Sequence, residues 1–206
     1  MDLVLTEEQQ LLQQTAREFA TKNSSLRRIR TLRDGQDPLG YSRALYAEMA
    51  KLGWLGIVFP EAYGGLALGH TDLMVILEEL GRGLMPEPLL SAVLLGGGAI
   101  ARGGSKAQRE ALLPPIINGE LLPTLAHQES RSRYNPMHVK TRAERSANGW
   151  ILNGTKTQVP DGVGANRLIV SASHTGTRTV ARRAGPTRAA ISFMSAVSRA
   201  PSAANP

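Results

Sequence analysis

The segment GWLGIVFPEAYGG, residues 53–65, constrains the fold of this chain more than any other part of it. It sets a tryptophan and a phenylalanine among glycines and a proline, a mixture that regular helices and strands do not need. Glycine supplies backbone angles closed to other residues, and Pro60 fixes its own φ and restricts Phe59 before it. The segment therefore predicts a shaped connection anchored to a core by Trp54, Ile57 and Phe59. An ordinary surface loop between two helices is the alternative.

Residues 1–120 have the patterns of helices. Thr6 with Gln9 three residues later predicts a capping box at the start of a first helix. Ser105 with Gln108 predicts the same arrangement for a later helix that runs into two prolines. Most of this part of the chain is therefore expected to be helical.

Further helices are expected between these two. One follows Ser42 and ends near Gly53. Thr71 and Asp72 introduce LMVILEEL, which is apolar nearly all round and is typical of a helix buried among other helices. The run LLSAVLLGGGAIA, residues 89–101, is another apolar helix. Its glycines indicate close helix packing rather than a phosphate-binding loop, because no strand precedes them.

The periodicity changes near residue 120. The runs LLPTLAHQE, GWILNG and NRLIVSAS are short, rich in strand-forming residues and bounded by Gly, Pro or Asn. Asn-Gly dipeptides begin at residues 148 and 153 and are typical of hairpin turns. The order of helices and then strands predicts an α+β protein, with an all-helical N-terminal domain over 1–120 and an antiparallel β domain over 121–172.

The remaining tail, residues 173–206, has a different composition. All 17 acidic residues lie at or before Asp161, so the segment from Arg178 onward carries a charge of +5 out of the total +7. We expect this basic, Ala-, Arg- and Ser-rich tail to be disordered, with ISFMSAV as one possible strand. A reading-frame change or a truncation would produce the same shift in composition. The tail has little aromatic content and no zinc spacing, so no nucleic-acid partner is expected.

Composition excludes several classes of protein. There is no cysteine, which removes disulfides and thiolate chemistry. No apolar stretch is long enough to cross a bilayer, and the acidic start MDLVLTEEQQ is unlike a signal peptide. We therefore expect a cytoplasmic protein with no membrane partner. The four histidines have no metal-ligand spacing and no serine lies in G-x-S-x-G, so neither a metal site nor a hydrolase triad is predicted.

Four segments in this order resemble the acyl-CoA dehydrogenase family: GWLGIVFPEAYGG, the EELGR end of the buried helix, LLPPIINGE and GWILNGTKTQV. The resemblance covers residues 3–172. The segment AHQESRSRYNP is similar to small subunits of the pimeloyl-CoA type. The resemblance implies the family's helical N-terminal domain and an incomplete middle β domain. The family's C-terminal four-helix domain is expected to be missing from this chain.

The family resemblance implies flavin chemistry. FAD would lie against the β domain, accept a hydride from an acyl-CoA thioester and pass electrons to an electron-transfer flavoprotein, in a homo- or hetero-oligomer with a related subunit. In the family the base is a carboxylate of the later helical domain. The resemblance gives that role to neither Glu129 nor Asp161, so no catalytic residue is assigned.

The resemblance also assigns cofactor-binding positions, several with departures from the family. Gln128 replaces a threonine that contacts the flavin, and an amide can still donate and accept a hydrogen bond. Gln158 replaces the tryptophan that walls the flavin ring, and Pro160 replaces a threonine and offers only its carbonyl. Each position can equally be an ordinary β-domain residue. The assigned positions are Leu125, Gln128, Tyr134, Gln158 and Pro160.

Three functions follow from the resemblance. The chain is expected to be a dehydrogenase of an acyl-CoA thioester with FAD as hydride acceptor, truncated and inactive alone. The first alternative is a non-catalytic subunit or binding partner of a full-length acyl-CoA dehydrogenase. The second is a truncated product whose helical domain folds but binds no flavin.

Overall fold

The computed structural model of the protein describes residues 4–35, 39–132, 135, 138–147, 149–174 and 191–192. Helices form its first part and short strands its second, which confirms the predicted α+β class with a partial β region. The predicted disorder of the tail falls mainly on residues outside these ranges. Of ISFMSAV, residues 191–192 form a short strand. No helix within the described ranges is long and apolar enough to cross a bilayer.

The helical part is a series of short and medium helices joined by brief connections. Two 3₁₀ turns, Trp54–Gly56 and Glu61–Tyr63, lie within the GWLGIVFPEAYGG segment, and a π-helical segment covers Leu90–Gly97. The α-helices are α1 (Glu7–Asn23), α2 (Leu26–Asp34), α3 (Arg43–Lys51), α4 (His70–Arg82), α5 (Gly98–Gly103) and α6 (Lys106–Ile117).

Side-chain caps begin three of these helices as predicted. The hydroxyl of Thr6 accepts from the Gln9 amide, and the Gln9 side chain accepts from the Thr6 amide, both at 3.2 Å. Ser105 and Gln108 make the same reciprocal pair at the start of α6. Ser42 caps α3 by accepting from the Leu45 amide. These bonds satisfy N–H groups that have no partner within the helix, so sequence alone located three helix starts.

Other helix predictions need correction. Helix α2 was not predicted, and none of its residues is buried; it is tied to the body by an ion pair between Arg28 and the buried Glu87. Helix α4 begins at His70 rather than after Thr71 and Asp72, since Asp72 is already its third residue and accepts from the Gly69 amide. Helix α6 continues through both of its prolines to Ile117.

The predicted connection over residues 53–65 is part of the core. Trp54, Ile57 and Phe59 are all buried, and the Trp54 ring meets the Phe19 ring of α1 edge-on, with centroids 5.1 Å apart. Gly53 has φ +78°, a left-handed conformation that glycine adopts freely and that ends α3. The prediction of a connection anchored by aromatic and aliphatic side chains is confirmed.

The glycine run packs closely, as predicted. A Cβ at Gly96 would lie 2.5 Å from the Pro123 carbonyl oxygen, and one at Gly97 would lie 2.4 Å from the Phe59 ring. The absent side chains let the π-helical segment approach both the first strand and the core. The run is therefore a packing feature.

The described strands form two three-stranded sheets, one ordered β1-β4-β6 and the other β3-β2-β5. The antiparallel prediction is wrong for part of them, because β1 pairs with β4 in parallel and β2 pairs with β5 in parallel. Parallel partners need long connections rather than tight turns, and local turn signals do not reveal them. The strands are β1 (Pro123–Ala126), β2 (Arg142–Ser146), β3 (Gly149–Asn153), β4 (Arg167–Ser171), β5 (Ser173–His174) and β6 (Ile191–Ser192).

Only the first Asn-Gly dipeptide marks a hairpin. Strands β2 and β3 pair antiparallel from Ser146 and Gly149 outward, which confirms that turn. No strand directly follows the second dipeptide. A Cβ at Gly154 would lie 2.5 Å from the Thr141 hydroxyl oxygen, so this glycine permits a close approach of two chain segments.

Candidate functional site

Two chain segments that carry predicted cofactor residues lie side by side at the end of β1. The Thr157 amide donates a hydrogen bond to the Gln128 carbonyl at 2.9 Å. Gln128 and Gln158 are therefore held on neighbouring backbones, and both residues are exposed. Their side-chain amides can donate and accept hydrogen bonds at the same edge of the β region.

The other predicted residues are less available for contacts with a cofactor. The Thr124 hydroxyl donates to the Pro160 carbonyl at 2.6 Å, so the acceptor expected of Pro160 already binds a buried side chain. Leu125 pairs with Ile169 of β4 and packs half-buried against the core. Tyr134 lies outside the described residues. The structure thus brings four of the five predicted positions into one region.

A buried ion pair that the sequence did not reveal joins the same two segments. The Lys156 ammonium lies 2.8 Å from Glu129 Oε1, and the two side chains are only 9% and 7% exposed. Lys156 also donates to the His127 carbonyl at 3.1 Å and to the Ser171 hydroxyl at 3.0 Å. All three ammonium protons therefore have acceptors, which a buried lysine requires.

The Glu129 carboxylate is equally saturated. Its Oε1 accepts from the Thr141 amide at 2.9 Å and the Thr141 hydroxyl at 2.7 Å, and its Oε2 accepts from the Lys140 amide at 2.8 Å. Burial raises the pKa of Glu129, but the hydrogen bonds from Lys156, Thr141 and Lys140 outweigh it and lower the pKa to about 2. A carboxylate this acidic is a poor proton acceptor near neutral pH. Glu129 is a structural anion that joins the two segments.

The loop after Lys156 has an unusual backbone. Gln158 and Asp161 each have φ +50°, the left-handed region that few residues other than glycine adopt. Such conformations persist only where surrounding contacts enforce them, and they cluster at functional sites. The loop over residues 158–161 is therefore held in shape by its surroundings. In the part of the chain that the structure describes, no group of three or more metal-binding side chains accompanies it.

The low pKa of Glu129 predicts an acid-sensitive contribution to stability. The folded-state pKa of about 2 lies below the ordinary value of 4.5, so the unfolded chain binds this proton more readily. The stabilisation is complete above about pH 4.5 and disappears as pH falls through about 2. Urea unfolding followed from about pH 6 to 2.5 should therefore show a steeper loss of stability in the natural chain than in Glu129→Gln. Parallel pH profiles of the two proteins would contradict this assignment.

Comparison with known proteins agrees with this architecture. Residues 6–120 match the family described as acyl-CoA dehydrogenase, N-terminal domain. The chain is 32% identical over 176 residues to mitochondrial isovaleryl-CoA dehydrogenase of Pongo abelii, covering 82% of this chain and 40% of that protein. The chain therefore spans less than half the length of this curated relative.

Solved structures give the same coverage. A glutaryl-coenzyme A dehydrogenase bound to glutaryl-CoA matches with a TM-score of 0.73 and 30% identity, over 84% of this chain and 44% of that one. The ChsE4–ChsE5 complex of Mycobacterium tuberculosis matches with a TM-score of 0.74 and 26% identity, over 84% and 46%. Sequence and structure agree on the helical part and on the start of the β region. The chain belongs to the acyl-CoA dehydrogenase family.

Proposed function

We propose that this chain takes part in the α,β-dehydrogenation of an acyl-CoA thioester, with FAD bound at the edge formed by Gln128 and Gln158. The observation that carries the proposal is the hydrogen bond from the Thr157 amide to the Gln128 carbonyl, which holds the two chain segments that carry the exposed residues Gln128 and Gln158 side by side. The buried ion pair ties the same two segments together, because Glu129 directly follows Gln128 and Lys156 lies two residues before Gln158. An ordered support of this kind favours a binding site over a mobile loop.

The residues present fit a flavin. Its ring edge alternates hydrogen-bond donors and acceptors, and the side-chain amides of Gln128 and Gln158 supply both kinds of group. When bound, FAD supplies the hydride acceptor. The side-chain amides of Gln128 and Gln158 would hold the ring edge, and the hydrogen bond from the Thr157 amide to the Gln128 carbonyl would keep their two segments together.

We assign no proton abstraction to these 206 residues. Both oxygens of Glu129 are occupied by donors, and no acidic residue follows Asp161 in this sequence. The relatives are more than twice as long as the matched region, so the base is expected to lie in a part of the protein beyond this match. By the same analogy the electron acceptor is an electron-transfer flavoprotein, and the enzyme is an oligomer.

Flavin titration of the purified chain tests the proposal. Saturable quenching of FAD fluorescence is expected, and the double variant Gln128→Ala/Gln158→Ala should bind about 10- to 30-fold more weakly, as expected for two lost hydrogen bonds. Gln14→Ala, an exposed amide on α1, is the control and should leave affinity unchanged. The absence of saturable binding by the natural chain would overturn the flavin role. Turnover of acyl-CoA substrates by these residues alone would contradict the proposed need for another part.

A non-catalytic subunit is the second candidate function, and one observation favours it. An apolar groove of about 620 Å³ lies between α4 and the π-helical segment. Met74 and Leu94, which line this groove, are exposed large apolar side chains. An apolar groove of this kind can receive an apolar side chain of a partner protein. Co-expression with a full-length family member tests this function. It is supported if the chain forms a stable complex with that protein while the purified chain itself is colourless, and it is contradicted if the chain binds flavin on its own.

A further inference from the structure

The loop over residues 158–161 is attached to the helical part of the protein by one side-chain contact. The Asp161 carboxylate accepts a hydrogen bond from the Ser91 hydroxyl, across 70 positions of sequence. Ser91 lies in the π-helical segment and is 1% exposed. A buried hydroxyl that has an oxygen acceptor avoids the cost of an unpaired polar group. This contact therefore reaches from the helical core directly to the loop.

The backbone around Asp161 turns tightly. The amides of Gly164 and Ala165 both donate to the Asp161 carbonyl at 3.1 Å, and the Gly162 amide donates to the Val159 carbonyl at 3.2 Å. Asp161 itself has φ +50°, which costs on the order of 1 kcal/mol for a non-glycine residue. A side-chain contact that enforces this conformation gives a physical reason for it.

The same π-helical segment also supports strand β1. Gly96 lies against the Pro123 carbonyl at the start of β1, and the next residue, Thr124, holds the Pro160 carbonyl. The loop is thus fixed at two adjacent residues, Pro160 through β1 and Asp161 through Ser91. The π-helical segment contacts both β1 and Asp161, so the position of Gln158 depends on that segment.

We propose that Asp161 is a positioning residue, whose contact with Ser91 sets the loop so that Gln158 faces the cofactor edge. This inference rests on the proposed binding of FAD. Asp161 touches no reacting atom in this role. It acts through the backbone of residues 158–161, three positions from the amide that it places.

Hydrogen exchange in the chain without flavin tests the contact itself. In Ser91→Ala and Asp161→Ala, the amides of Gly162, Gly164 and Ala165 should exchange at least about tenfold faster, because the turn loses its side-chain support. Asp161→Asn retains an oxygen acceptor for Ser91 and should exchange like the natural chain. Glu110→Ala, an exposed carboxylate on α6, is the matched control. Unchanged exchange in both alanine variants would overturn the proposal, whether or not flavin binds.

Flavin affinity and spectrum test the positioning role. Ser91→Ala and Asp161→Ala should each weaken FAD binding about tenfold and shift the visible absorption band, with Asp161→Asn within about twofold of the natural chain. A purely structural role would lower the melting temperature of the free chain without changing the spectrum of bound flavin. If the natural chain binds FAD and the alanine variants bind it equally well, the positioning role is wrong. If the natural chain binds no FAD, the proposed function is wrong. The hydrogen-exchange result then tests by itself whether the contact between Ser91 and Asp161 holds the loop.

Discussion

Replacing Glu129 with alanine is expected to lower the free energy of unfolding by about 3–5 kcal/mol. The substitution leaves the Lys156 ammonium buried without its anion and removes the acceptor of the Lys140 and Thr141 amides. An uncompensated buried charge is among the largest single penalties in a folded protein. Urea unfolding followed by circular dichroism near neutral pH measures the loss.

A double-mutant cycle separates the pair from its surroundings. Lys156→Met is expected to destabilise less than Glu129→Ala, because the Glu129 carboxylate keeps its bonds from Thr141 and Lys140. The double variant Glu129→Ala/Lys156→Met should cost less than the sum of Glu129→Ala and Lys156→Met. Glu110→Ala removes one member of an exposed pair with Lys106 and should have no measurable effect. A Glu129→Ala effect as small as this control would show that the pair is not buried in solution.

Replacing Gly65 with alanine is expected to cost about 3 kcal/mol or to prevent folding. A Cβ at this position would lie 2.1 Å from the Phe59 carbonyl oxygen and 2.8 Å from that of Gly56. Both contacts are with backbone, which cannot rotate away as a side chain can. The Leu66 and Ala67 amides donate to these same two carbonyls, so the shift would also break hydrogen bonds. Equilibrium urea unfolding monitored by tryptophan fluorescence measures the loss.

The neighbouring glycine provides a matched control. Gly64 has φ +88°, and a Cβ there would meet no atom within 4 Å. Gly64→Ala therefore carries only the backbone cost of a left-handed residue, about 1–2 kcal/mol. An order of effects in which Gly64→Ala destabilises more than Gly65→Ala would contradict the close approach at residue 65.

Local signals predicted much of the helical part. The capping pairs of Thr6 with Gln9 and Ser105 with Gln108 were confirmed, since a cap depends on residues only three apart. Helix α2 was missed although its local signals were present: the Ser25 hydroxyl accepts from the Arg28 amide, and Leu26, Ile29 and Leu32 recur at helical spacing. Local signals failed for the second Asn-Gly dipeptide, because Gly154 serves a distant contact with Thr141.

The candidate site was predictable only in outline. The resemblance named Gln128 and Gln158 as cofactor-binding positions, but it could not show that a hydrogen bond from the Thr157 amide to the Gln128 carbonyl holds their two segments together. It did not reveal that the Pro160 carbonyl is held by Thr124. The saturation of Glu129 likewise depends on groups 11 to 27 positions away.

The sequence by itself determined the family, the order of helices before strands, three helix starts and the core role of Trp54, Ile57 and Phe59. These features depend on residue types within a few positions of one another, so they are present in any linear reading of the chain. Only the tertiary structure decided that β1 and β4 run parallel, that Glu129 is neutralised by Lys156, and that Asp161 is held by Ser91. Such contacts depend on the path of the folded backbone, which brings residues up to 70 positions apart within hydrogen-bonding distance.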